Sequence, residues 1–275
     1  MGITIHKRMC EKNECLIKNI KLSKVKGIML HSIGCPQPSA EAMANLYNNY
    51  RPCGAQVAVH AFLDEDGDVY QCLPWGNKGW HAGGKANGSH IGVEMTEPAG
   101  IKYVGGATWT YKDNSEATKK KVKAHVDGTY KTAVQLFAHL CKAYKLDPLA
   151  DGVIISHSEG CKRGVASNHG DVEHIWAKFG YTMDCFRKDV KKAMSSGVTV
   201  KFEGYDQKPD VGISTGYLAK VTANKLNVRT GAGTNYPTST TVNKGDVYTI
   251  VEEKNGFGKL KSGAGWVSLK FMQKL

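Results

Sequence analysis

No run of about eighteen consecutive apolar residues occurs in this chain of 275 residues, which excludes a membrane-spanning helix. The opening segment, Met1 to Cys15, holds no apolar stretch of the length a secretory leader needs. The expectation is therefore synthesis in a cytoplasm without a signal peptide, and eight cysteines that remain thiols. Those cysteines (10, 15, 35, 53, 72, 141, 161 and 185) never fall at CxxC spacing, so paired-thiolate metal and redox motifs are absent. Helix-turn-helix, zinc-finger and RNA-recognition patterns are missing as well. Negative charge is the scarce sign: 25 Asp and Glu stand against 37 Lys and Arg, a formal net charge of +12.

That excess is not a tail. Residues 196–275 carry +5 of it and the rest of the chain +7. Two basic halves point to a polyanionic partner. Nucleic acid and the phosphate-bearing polymers of a Gram-positive wall both qualify by charge, and the missing recognition motifs turn the reading from the first to the second. A hydrophobic content of 41% is ordinary for a globular protein, and the length suits one medium and one small domain.

Apolar periodicity marks the elements. Val25–Ile33 reads as a buried strand, and Ser39 as the N-cap of a helix that ends near Tyr50, stopped by Arg51-Pro52. Gln56–Leu63 and Val69–Leu73 form a hairpin across an Asp-Gly turn, and His90–Met95 is another strand. From Ser115 to Leu146, apolar residues recur every three or four positions, the mark of a helix with one buried face. Val153–Ser156 returns to strand, and Met183, Phe186, Val190 and Met194 mark a closing helix. The fold class is therefore α/β, a central mixed sheet flanked by helices, over residues 1–195. Residues 196–214 read as a linker, and 215–275, with short strands between Gly, Asn and Pro, as a small all-β barrel.

Two of the strands end in histidine. His31 closes Ile28-Met29-Leu30 and His157 follows Ser156, and strand ends are where an α/β sheet delivers side chains into a cleft. A lone histidine in such a place is more often a core residue bonded to a carbonyl. Here a carboxylate, Asp171, follows fourteen residues after His157, within reach of a returning loop. Two imidazoles and a carboxylate are the ligand set of a hydrolytic zinc whose fourth position is open to water. Cys161 and His169 compete for the third place, since either would also complete an open site.

Around these residues the chain resembles a known family. Gly27 to Gly34, Ala58-Val59-His60 with the Asp66-Gly67 turn, Gly79-Trp80-His81-Ala82-Gly83, Ile91-Gly92-Val93-Glu94 and the His157…His169-Gly170-Asp171 tail follow one another. That order resembles zinc-dependent N-acetylmuramoyl-L-alanine amidases of the amidase-2 type, relatives of peptidoglycan recognition proteins. The resemblance covers roughly residues 20–180. It implies Zn2+ held by His31, His157 and Asp171, and Glu94 as general base. Other branches carry a tyrosine just before the hairpin histidine, where this chain has Val59, so Glu94 gains weight. His169 takes the place of the group that stabilises the oxyanion. His60, Trp80 and His81 become cleft walls, and Arg163 a partner for substrate carboxylates.

A second resemblance lies further on. Leu226 to Pro237, Lys244-Gly245 and Gly265-Trp266-Val267-Ser268-Leu269 are similar to a bacterial SH3 domain of the wall-binding kind. It nominates Asn227, Arg229, Asn235, Tyr236 and Trp266 as a surface for peptidoglycan peptides. An amidase followed by such a module is the layout of phage endolysins and bacterial autolysins. The expected activity is cleavage of the amide between N-acetylmuramic acid and L-alanine, with peptidoglycan and its associated polymers as partners and neither nucleic acid nor a membrane. The missing leader favours a bacteriolytic phage or prophage endolysin, released to the wall of a Gram-positive host, over a secreted autolysin. The rival is a non-catalytic peptidoglycan-binding protein, against which the full ligand set argues.

Overall fold

A strand buried on both faces organises the first part of the molecule. The computed structural model describes residues 2–48, 56–205 and 217–275, in two compact units, Met1–Val211 and Gly212–Leu275. In the first unit the strands are β1 (Ile3–Lys7), β2 (Gly27–Ser32), β3 (Ala61–Leu63), β4 (Asp68–Gln71), β5 (His90–Met95), β6 (Ile101–Gly105), β7 (Thr108–Tyr111), β8 (Ile154–Ser156) and β9 (Val200–Glu203). All but β6 and β7, which form a separate hairpin, join one mixed sheet in the order β8-β2-β5-β3-β4-β1-β9. Every residue of β2 and β5 is buried, as expected for parallel strands covered on both faces. The register sets His31 beside Glu94 across β2 and β5, and Leu30 beside Ser156 across β2 and β8. His157 therefore leaves the sheet at the level of His31.

The helices are α1 (Glu14–Lys18), α2 (Ala40–Tyr47), α3 (Glu116–Tyr144), α4 (His157–Lys162), α5 (Glu173–Trp176) and α6 (Met183–Ser196). Ser39 and Ser115 cap α2 and α3 as their sequence positions suggest, each hydroxyl accepting a backbone N–H three residues on. The apolar stripe of α3, from Val122 through Tyr130 and Phe137 to Cys141, packs on the sheet and on Phe186 and Val190 of α6. Trp75, Trp109 and Trp176 are all packing residues, at most 2% exposed. No described helix is long and apolar enough to cross a membrane, and the seven described cysteines are unpaired.

Two sequence expectations change. Val200–Glu203 falls inside the expected linker, 196–214, yet it pairs in parallel with β1, Ile3 opposite Val200, as the edge of the sheet. Four residues that alternate between half-buried and exposed carry too little pattern to be told from a linker without their neighbour. The strand expected over Gln56–Leu63 shortens to Ala61–Leu63, because Ala58 bridges to Trp80 and the His60 N–H donates to the Gly92 carbonyl. Residues 206–214 of the expected linker, residues 215 and 216 of the expected barrel and the helix stop at Arg51-Pro52 lie outside the described residues.

The second unit is a single antiparallel sheet of seven strands between Tyr217 and Lys274. Alternation sends Ala219, Val221, Leu226, Val228, Val242, Ile250, Leu260 and Val267 into its core. Arg229 donates to the Tyr236 carbonyl at 2.8 Å, and Lys259 lies over the Trp266 ring.

Candidate metal centre and active cleft

Helix α4 begins on His157, and its N-cap Ser156 forms a capping box with Glu159, which fixes the orientation of the first turn. The chain then loops back, and the Ser158 N–H donates to the Asp171 carbonyl at 3.0 Å, which returns Asp171 to the start of the helix. His31 arrives from the end of β2. Among the described residues, His31, His157 and Asp171 form the one group of three whose donor atoms could share a metal ion. His31 and His157 are 1% and 4% exposed.

The donor atoms face one another closely. His31 Nδ1 to His157 Nδ1 is 3.0 Å, His31 Nδ1 to Asp171 Oδ2 3.4 Å, and His157 Nδ1 to Asp171 Oδ2 3.8 Å. A tetrahedral zinc with bonds of about 2.0–2.1 Å separates its ligands by about 3.3–3.4 Å. The residues present fit such an ion. Burial works against charge on Asp171, but the hydrogen bond and attraction of His31, and then the pull of His157, hold its carboxyl below the usual carboxylate range. Burial also lowers the pKa of His157 to about 4, so its ring is the neutral form a metal requires. At His31 burial lowers the pKa, while Asp171 and Glu94 raise it and prevail.

Glu94 lies 8% exposed beside this group, with Oε2 buried and without a protein partner. Burial, aided by Asp171 and Glu97 and opposed by His31, pushes its pKa up to about 8. His169 is exposed at the mouth, its ring 4.5 Å from that of His157 and its Nδ1 3.1 Å from Ser167 Oγ. Cys161 stands apart from the donor group, its Sγ 3.9 Å from Asn168 Oδ1.

The expected substrate walls fare differently. His60 is fully buried and spent on backbone: Nε2 donates to the Asn77 carbonyl at 2.8 Å, and Nδ1 accepts from the Gly92 N–H at 2.9 Å. It cannot contact substrate. Arg163 is paired with Asp151 on the exposed surface and is not part of the cleft lining. Trp80 packs beneath the Lys18 ammonium, 5.0 Å from its ring, and is likewise outside the lining. His81 reaches the cleft edge, but both ring nitrogens have protein partners, His31 and the His90 carbonyl.

The cleft, of about 460 Å³, has a second wall that sequence reasoning missed, Tyr103 and His174, with Glu97 behind it. Buried Glu97 accepts the Gly34 N–H at 3.0 Å and the Tyr103 hydroxyl at 2.6 Å, and Tyr103 Oη lies 2.7 Å from His174 Nε2. These residues come from β6, α5 and the end of β5, and nothing in their spacing signals that they meet. The cue in the sequence is weak: Glu97 lies two residues beyond β5, past the strand's alternation.

Because the fold keeps His60 neutral, it ties stability to pH. Burial lowers the pKa of His60 from 6.5 to about 4. Between those values the unfolded chain binds the extra proton, so stability is present above about 6.5 and lost as pH falls toward 4. From pH 7 to pH 5, His60 alone is expected to remove about 2 kcal/mol. Urea unfolding of wild type and His60→Gln at both pH values reads this as a difference in slope; parallel pH dependence would show that the ring is not buried neutral.

The family profile of N-acetylmuramoyl-L-alanine amidase matches residues 21–172, and that of the bacterial SH3 domain matches residues 224–273. Among solved structures, the Staphylococcus aureus hydrolase AmiA in complex with its ligand has a similar fold, at 17% identity over 72% of this chain and 88% of that one, with a TM-score of 0.50. PlyL aligns at 16% identity over 69% and 97% of the two chains, TM-score 0.46. A mutant endolysin from Bacillus subtilis aligns at 18% over 69% and 99%, TM-score 0.46. No curated protein matches the sequence.

Proposed function

The chain belongs to the N-acetylmuramoyl-L-alanine amidase family, and from that premise we propose a zinc-dependent peptidoglycan hydrolase that cleaves the bond between N-acetylmuramic acid and L-alanine, acting as a phage endolysin on a Gram-positive wall. The observation that carries the zinc reading is the triangle of His31 Nδ1, His157 Nδ1 and Asp171 Oδ2, with edges of 3.0 to 3.8 Å. The SH3 match over residues 224–273 and the net charge of +12 support a wall rich in anionic polymers as the partner.

Zinc, when bound, supplies a Lewis acid for the scissile carbonyl and acidifies a water molecule. His31, His157 and Asp171 hold it. Glu94 performs the proton transfers: it accepts the proton of the attacking water and returns it to the departing L-alanine amine. A pKa of about 8 lies near the working pH, where one carboxyl can do both. His169, at the mouth beside His157, offers a ring N–H to the oxygen on which negative charge develops. The catalytic unit takes in β9, and the wall-binding module follows from Tyr217.

The test is metal removal. Dialysis against a chelator is expected to abolish release of free L-alanine amino groups from purified walls, and one equivalent of zinc to restore it. Unimpeded release from chelator-treated protein would overturn the zinc reading. Retention on walls with no amino groups released by the zinc-loaded protein would make it a recognition protein instead.

A further inference from the structure

Each histidine of the metal group has a second ring nitrogen, and one turn governs both. His31 Nε2 lies 3.0 Å from His81 Nδ1, and His81 Nε2 lies 3.1 Å from the His90 carbonyl oxygen. A carbonyl only accepts, so His81 Nε2 carries the hydrogen. In a neutral ring Nδ1 is then bare and accepts from His31 Nε2–H. His31 Nε2 is thereby engaged, and Nδ1 is the nitrogen that faces His157 and Asp171.

The other histidine is treated in the same way. His157 Nε2 has acceptors at 3.2 Å in Ser167 Oγ and His169 Nδ1. Ser167 is itself fastened to Ala82, its backbone N–H 2.8 Å and its hydroxyl 3.3 Å from the Ala82 carbonyl. Both chains of hydrogen bonds end on residues 81 and 82. Asn87 Oδ1 pins that pair, accepting from the His81 and Ala82 N–H groups at 2.8 and 2.7 Å. The His81 ring fits because its neighbours lack side chains: a Cβ on Gly92 would stand 2.4 Å from the ring, and one on Gly79 2.8 Å.

We infer that the His81-Ala82 turn, pinned by Asn87, determines which nitrogen of each metal histidine faces the ion, and that His81 is a positioning residue for His31. The inference rests on the zinc reading of the site and adds to it a second layer of residues that the metal senses only through its ligands.

The experiment has two readouts. Ring-nitrogen correlation spectra of the metal-free wild type at neutral pH are expected to show His31 and His81 with hydrogen on Nε2. His81→Phe keeps a ring in the glycine cradle and removes the acceptor. Its zinc affinity, measured by competition with a chromophoric chelator, is expected to fall about 10–100-fold with the far-UV spectrum unchanged. Asn87→Ala, which touches neither ring, should also weaken zinc binding, and Asn87→Asp, which keeps the acceptor oxygen, should stay within about twofold of wild type. Wild-type affinity in His81→Phe, or a His31 Nε2 without hydrogen in the wild type, overturns the inference. If His81→Phe does not fold, the Asn87 pair and the wild-type spectrum decide. A wild type that takes up no zinc sinks the metal reading instead, while the ring spectra still report on the turn.

Discussion

Replacing Asp171 with alanine is expected to weaken zinc binding by more than about 100-fold and to take wall lysis down with it. Losing a partner behind a metal ligand costs about 10–100-fold in affinity, so losing a ligand should exceed that. Asp171 is also the group's only anion. Without it, His31 and His157 would face each other at 3.0 Å with no negative charge to complete the set. Cys161→Ala is the matched control: its sulfur is turned toward Asn168, and zinc affinity should not change. Zinc content after dialysis and clearing of wall suspensions measure both variants. Full occupancy and undiminished lysis in Asp171→Ala would place the third ligand elsewhere, and an equal loss in Cys161→Ala would place it at the thiol.

Glu94→Gln should separate chemistry from metal binding. The substitution keeps the shape of a side chain packed at 8% exposure and removes its capacity to hold a proton in transit. General acid–base catalysis is typically worth about 10²–10⁴-fold, so the rate should fall by that much while zinc affinity stays within about twofold. The buried Oε2 of Glu94 has no protein hydrogen-bond partner, so the amide breaks no bond there. Rates of amino-group release at saturating wall concentration give the answer. A loss smaller than about tenfold would make Glu94 part of the cleft wall, with the proton transfers assigned to another group.

The two variants probe different kinds of legibility. His31 and His157 could be read in the chain because each ends an apolar run, and a buried parallel strand leaves that signature whatever surrounds it. Asp171 needed spacing and resemblance together, since a loop residue carries no periodicity. His60 defeated the reading for a related reason. Strand alternation tells which residues share a face, but not whether that face meets a cleft or the inside of the fold. The structure turns His60 inward, between the Asn77 carbonyl and the Gly92 amide.

Local pattern thus determined the alternation of strands and helices, the caps at Ser39 and Ser115, the two histidines at strand ends and the change to an all-β module. Those features depend on neighbours within a few residues, whose propensities and periodicities act before any distant contact forms. Only the tertiary structure decided that β9 completes the sheet, that Tyr103 and His174 share a wall with Glu97 behind it, and that His81 stands behind His31. Each of these joins segments separated by many residues, and each depends on sheet order and register. A hydrogen bond between imidazoles fifty positions apart in the chain exists because β2 and β5 lie side by side and glycine at 92 leaves the ring its space.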